Sequence, residues 1–182
     1  MPKVAIILAD GFEEVEAVAP IDVLRRAGVE VLIVGLSREP VKSARGIKIL
    51  PELSIDEVNP EEIDMVILPG GAEGVENLKR DKRVEALVKA LKDKDKYVSA
   101  ICAAPTALAS FGVLEGKKAT VYPSLKEEIK PAVFVDDKVV EDGRVITSQG
   151  PGTALLFALK LAEKLAGKDK AREVAQRMLI DW

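Results

Sequence analysis

Tyr97-Val98-Ser99-Ala100-Ile101-Cys102-Ala103-Ala104-Pro105-Thr106 reads as a buried strand, a cysteine and the start of a helix. Val98 and Ile101 are β-branched strand formers. After Cys102 the alanines tolerate a helix, and Pro105 stands where a first-turn proline is allowed. Small residues on both sides let the chain turn sharply and push the cysteine out at the carboxyl end of a sheet. Ala-x-Cys-x-Ala thus follows the mechanical logic of a nucleophile elbow, more often written Gly-x-Ser-x-Gly. Cys102 is the single cysteine of the 182 residues. A lone cysteine also reads as a small buried hydrophobe. Its place at a helix start favours the nucleophile, because an oriented helix dipole lowers a thiol pKa.

Working outward, residues 4–9 form a continuous apolar run of buried-strand length, ended by Asp10-Gly11. A helix is predicted over 12–27, with Gly28 as its stop. Pro20 removes the amide that would bond the carbonyl of Glu16, so a kink is expected near Glu16. Residues 29–36 and 65–68 read as further strands, and 45–50 as a short strand or hairpin arm. Val84, Leu87, Val88 and Leu91 give 81–92 one apolar helical face. A helix over 104–111, a strand over 119–122, short strands near 133–135, 139–140 and 145–147, and helices over 150–165 and 168–179 complete the reading. Strands alternating with helices indicate an α/β, doubly wound sheet, and no linker or repeat divides residues 1–182.

Composition excludes several classes. A net charge of −3 argues against nucleic acid as a partner. No apolar run approaches membrane-spanning length. Met1-Pro2-Lys3 carries no secretory pattern, and one cysteine allows no internal disulfide, so a cytoplasmic location is expected. The chain has no histidine, which removes Cys-His and Ser-His triads and histidine metal sites. Proton transfer near neutral pH then falls to a carboxylate, the thiol, a tyrosine or a lysine.

In doubly wound sheets, ligands bind outside the carboxyl ends of the strands. The loops expected there are Asp10-Gly11, Pro69-Gly70-Gly71, Ala100 to Ala103, Tyr122-Pro123 and Ser148-Gln149-Gly150-Pro151. Gly70 and Gly71 can offer backbone N–H groups to an oxyanion beside Cys102; a plain strand-to-helix turn is the alternative. Glu13 and Glu14 read as ordinary complements of a helix dipole. Glu16, one turn on from the strand end, is placed to face the thiol and share a proton with it.

Ala9-Asp10-Gly11-Phe12-Glu13-Glu14-Val15-Glu16, Leu68-Pro69-Gly70-Gly71, Ala100-Ile101-Cys102-Ala103-Ala104-Pro105 and Thr147-Ser148-Gln149-Gly150-Pro151-Gly152-Thr153 resemble the ThiJ/PfpI superfamily, closest to its DJ-one and YajL branch. The resemblance implies a flavodoxin-like fold, usually dimeric, with Cys102 as nucleophile, Glu16 as its acidic partner and oxyanion amides at Gly71 and Ala103. It places Arg45 near a partner subunit and Tyr122 where some members carry a pocket histidine. Ala103 stands where the peptidase-like branch has histidine, so a peptidase reading loses its base. The implied function is cofactor-free glyoxalase or protein deglycase activity on methylglyoxal, glyoxal or their adducts, by thiol addition to a small reactive carbonyl. A redox-sensing stress chaperone using the same cysteine is the alternative.

Overall fold

The computed structural model describes residues 1–182. Its strands and helices in chain order are β1 (Lys3–Leu8), α1 (Glu14–Arg26), β2 (Glu30–Gly35), β3 (Val41–Lys42), β4 (Lys48–Ile49), β5 (Leu53–Ser54), β6 (Met65–Leu68), α2 (Ala72–Arg80), α3 (Lys82–Asp93), β7 (Tyr97–Ile101), α4 (Pro105–Ser110), β8 (Lys118–Ala119), β9 (Val133–Phe134), β10 (Val139–Asp142), β11 (Val145–Ser148), α5 (Ala154–Ala166) and α6 (Lys168–Arg177). The main sheet has seven strands in the order β10-β11-β7-β6-β1-β2-β5. All its neighbours are parallel except β10, which returns antiparallel on β11. This is the flavodoxin-like α/β fold.

Apolar residues cover both faces of the sheet, as the continuous runs of β1, β6 and β7 require. One core joins α2, α3 and α4 to the sheet through Val75, Leu78, Val84, Leu91 and Leu108. The other joins α1, α5 and α6 through Ala17, Leu24, Phe157, Leu161 and Val174. The chain leaves β1 toward β2 on one side and returns to β6 on the other. The crevice at the β1/β6 carboxyl ends is therefore the topological switch point, where helices on opposite faces separate.

Four expectations need correction. The first helix starts at Glu14 rather than near Phe12, because Gly11 adopts φ 89° and Glu13 serves as the N-cap. It runs on through Pro20, so Glu16 reaches the site from its place in the first turn. Helix α2 was not expected: its sequence is short and carries Gly74. That glycine lies against the Phe12 backbone, where a Cβ would come within 2.8 Å of the Phe12 nitrogen. The strand predicted over 119–122 shrinks to Lys118–Ala119, because the Thr120 amide turns to Thr147 Oγ1 (2.9 Å) and the Tyr122 amide to the Cys102 carbonyl (2.9 Å). The helix expected from Gly150 begins as a single 3-10 turn over Pro151–Thr153 and becomes α-helical at Ala154. No helix is long and apolar enough to cross a membrane.

Candidate active site

Cys102 directly follows β7 and adopts φ 64°, a left-handed conformation unusual for a residue with a side chain. Such a conformation is held only where its surroundings over-determine it. Here its amide donates to the Ser148 carbonyl at the end of β11 (3.0 Å) and its carbonyl accepts from Tyr122 (2.9 Å). The next turn closes from Ala104 N–H to the Ile101 carbonyl (3.0 Å). The elbow read from the sequence is therefore present, pinned by both neighbouring segments.

Glu16 approaches from α1. Its amide is capped by Glu13 Oε2 at 2.8 Å, while Glu13 N–H donates to the Gly70 carbonyl at 3.0 Å. These two bonds tie the start of α1 to the end of β6. The Glu16 side chain is fully buried, neither carboxyl oxygen has an aligned donor, and the polar side chain it meets is Cys102. Gly70 lies against both groups. A Cβ there would stand 2.7 Å from Cys102 Cβ and 2.9 and 3.0 Å from the two Glu16 oxygens. Gly71, at φ 95°, backs onto the β1–α1 loop, where a Cβ would come within 2.2 Å of the Gly11 carbonyl oxygen. The Gly71 and Ala103 N–H groups lie on the side of the Cys102 sulfur and favour its thiolate.

Gly70 thus admits no side chain. Gly70→Ala is expected to push Glu16 and Cys102 apart, with a stability loss of about 1–3 kcal/mol and at least about 100-fold slower thiol alkylation. Thermal unfolding and iodoacetamide kinetics read the two effects; normal alkylation would show that the spacing does not matter.

The electrostatics correct the simple expectation of a depressed thiol. Burial and the charge of Glu13 push Glu16 up to about 8. Burial and an ionised Glu16 push Cys102 up to about 12, against the pull of the Ala103 and Gly71 amides. The six-residue α4 starts three residues beyond the sulfur and brings little dipole to it. The two groups cannot both be charged at moderate cost, so they titrate as one unit. The first proton leaves near the Glu16 value, and the singly ionised pair holds one proton between oxygen and sulfur. Once Glu16 carries it, the charge that raised the thiol is gone and a carboxyl O–H faces the sulfur.

The remaining residues named from the sequence divide into two groups. Tyr122 is half-exposed and its ring lies over Gly150, whose Cβ position is 3.6 Å from the ring. Pro151 stands exposed at the same rim. Ser148 is tied to Thr153 by their hydroxyls at 2.7 Å, which fixes this loop beside the elbow. Arg45 is not brought to Cys102. Its amide and the Ser43 hydroxyl bind the buried carboxylate of Glu14, and its own side chain is exposed. A groove of about 420 Å³ at the β1 and β2 ends, lined by Asp10, Leu36, Asn77 and Arg80 among others, does not include Cys102. The residue that sequence reading passed over is Glu13, set aside as a dipole complement. Its position three residues before Glu16 was the available signal, since an N-cap side chain bonds the amide two or three positions on.

The chain matches the DJ-1/PfpI family over residues 2–164. It belongs to that family. It is 47% identical to protein dj-1beta of Drosophila melanogaster over 180 residues, 97% of this chain and 96% of the fly protein. It is 36% identical over 182 residues to a Caenorhabditis elegans protein named glutathione-independent glyoxalase DJR-1.2, covering 98% and 97% of the two chains. The crystal structure of Drosophila DJ-1beta superposes with a TM-score of 0.96 at 46% identity, covering 100% of this chain and 99% of the other. Oxidised Toxoplasma gondii DJ-1 gives a TM-score of 0.96 at 35% identity over the full length of both. The DJ-1/PfpI match therefore spans both sheet faces and every segment that meets at Cys102.

Proposed function

We propose that this chain is a glutathione-independent glyoxalase that converts methylglyoxal or glyoxal to the corresponding hydroxy acid, with Cys102 as nucleophile and Glu16 as proton carrier. The observation that carries this reading is the buried Glu16 carboxyl held against Cys102 across a glycine that admits no methyl group. The glyoxalase name of the nematode relative supports it.

Ionised Glu16 takes the thiol proton as sulfur attacks the aldehyde carbon. The carbonyl electron pair moves to oxygen, beside the Gly71 and Ala103 N–H groups, and protonation gives a hemithioacetal. Glu16 then removes the proton on that carbon and returns it to the adjacent carbon through an enediol. The product is the thioester of lactate. Water cleaves it, releasing lactate and restoring the thiol, so the net reaction adds one water to methylglyoxal. These steps use only the chain's own residues, with no metal or organic cofactor. Tyr122, Gly150 and Pro151 form the outer wall for the substrate. The same attack on a glycated amine adduct gives a deglycase. Lactate formation from methylglyoxal, wild type against Cys102→Ser, is the test.

A second reading, oxidation sensing, is favoured by the partial exposure of Cys102. Mild peroxide should then add two oxygens at Cys102, seen by intact mass; an unchanged mass discards it. A Cys-His peptidase lacks its base, since the chain has no histidine. The partner that fits the surface is a second copy of this chain. Val15 and Val18 on α1 and Ile47 and Leu50 on the β3–β4 arm are 47–68% exposed, next to the loop that carries Arg45.

A further inference from the structure

At the amino ends of β7 and β11, the end of the sheet away from Cys102, the end of α3, the α4–β8 loop and the β10–β11 turn enclose a cavity of about 380 Å³. A strand rises about 3.3 Å per residue, which puts Tyr97 at the start of β7 about 16 Å from Cys102 beyond its end. Four cations line the cavity, Lys92, Lys96, Lys117 and Arg144, against one carboxylate, Asp95. We propose that this cavity is an anion site, separate from the Cys102 pair, that binds a diphosphate group, free or carried on a nucleoside.

The positive charge is concentrated here although the chain as a whole carries −3. Three of the cations are held in place by the protein itself. Arg144 lies over the Tyr97 ring, 4.6 Å from its centre, and its carbonyl accepts from Val98 N–H at 2.9 Å. Lys96 Nζ donates to the Pro60 and Glu61 carbonyls at 2.8 and 3.0 Å, which fixes the ammonium without neutralising it. Lys117 folds over the bare backbone of Gly143, where a Cβ would stand 3.2 Å from its Nζ. Little negative charge opposes them. Asp95 pairs with Arg144 at 3.5 Å, but its side chain is 82% exposed, and a pair so open to water contributes little. Asp142, beside Gly143, is turned to the Lys118 amide at 2.8 Å. The ion pairs of this region are Arg144 with Asp95 and Lys94 with Glu61, and Lys92 and Lys117 take part in neither. A ligand with a single carboxylate would leave most of these cations unmatched, whereas the oxygens of a diphosphate match both a guanidinium fork and ammonium point charges. Beneath the cations, buried Val98, Val113 and Val145 give an apolar floor, and a cavity of this size takes a small organic ligand.

Calorimetric titration of the full chain with inorganic pyrophosphate, ADP and adenosine, free of metal ions and at about 50 mM salt to limit screening, tests this. Pyrophosphate and ADP should each bind saturably, and adenosine should not. Equal affinities would identify free diphosphate as the ligand; tighter ADP would assign the valine floor to the nucleoside. Arg144→Gln and Lys117→Gln should each weaken binding about tenfold or more. Both side chains reach solvent, so neither change disturbs the core, and thermal unfolding checks that. Lys168→Gln makes the same charge change on α6, across the sheet from α3 and α4, and should bind as wild type does. The proposal is overturned if neither phosphate probe saturates, if adenosine binds as tightly as ADP, if both cavity variants match wild type, or if Lys168→Gln loses as much as they do.

Discussion

Cys102→Ser is expected to form lactate from methylglyoxal at least about 10³-fold more slowly than wild type, a loss of about 4 kcal/mol of transition-state stabilisation. The reason lies in the acidity of the attacking group. Glu16, pushed up to about 8, is a base strong enough to share the proton of a thiol, but a serine hydroxyl is a far weaker acid. The Gly71 and Ala103 amides would still face the smaller oxygen, yet they cannot replace a nucleophile. The wild-type rate should rise about tenfold per pH unit below about pH 8 and level off above it, since the singly ionised pair is the reactive form. Coupled lactate detection across that range checks both statements. Normal turnover by Cys102→Ser would remove the sulfur from the reaction. A flat profile between pH 6 and 8, on the order of two units wide, would remove the shared proton.

Much of this architecture was legible because few readings fit the residues. The apolar runs of β1, β6 and β7 can only be buried strands of a sheet covered on both faces. Cys102 between strand and helix start marked the elbow, and the loops expected beside it do converge. What stayed hidden depends on tertiary partners. Helix α2 has weak local signals, yet its Asn77 side chain binds the Asp10 carbonyl at 2.9 Å and so supports the β1–α1 loop. Tyr122 looked like a strand residue until its amide was claimed by Cys102. The direction of the thiol's titration was beyond reach for a further reason. Spacing places Glu16 near Cys102, but only burial decides that both groups are driven toward their neutral forms.

Glu16→Gln separates what the pair does for chemistry from what it does to stability. The variant is expected to lose about 10²–10⁴-fold of lactate formation, because an amide cannot carry the proton. It should at the same time be the more stable protein at neutral and alkaline pH. The Glu16 carboxyl is raised from 4.5 to about 8, so the folded state keeps a proton that the unfolded chain gives up above pH 4.5. Unfolding therefore releases a proton between those values, and stability falls as pH rises through the window. By linkage the loss is about 3 kcal/mol at pH 7 and levels off above pH 8. Glutamine escapes that loss but buries an amide with few partners, at a cost of about 1–3 kcal/mol. The balance predicts a melting temperature a few degrees above wild type at pH 7, at about 2–4 °C per kcal/mol, and a larger gap at pH 9. Near pH 5 the advantage should vanish or reverse, since wild-type Glu16 is then protonated in the fold at little expense. Thermal unfolding of both proteins across this range reads the difference directly. A gap that does not change with pH would mean that Glu16 is not raised by burial, and it would then be too weak a base to take the Cys102 proton.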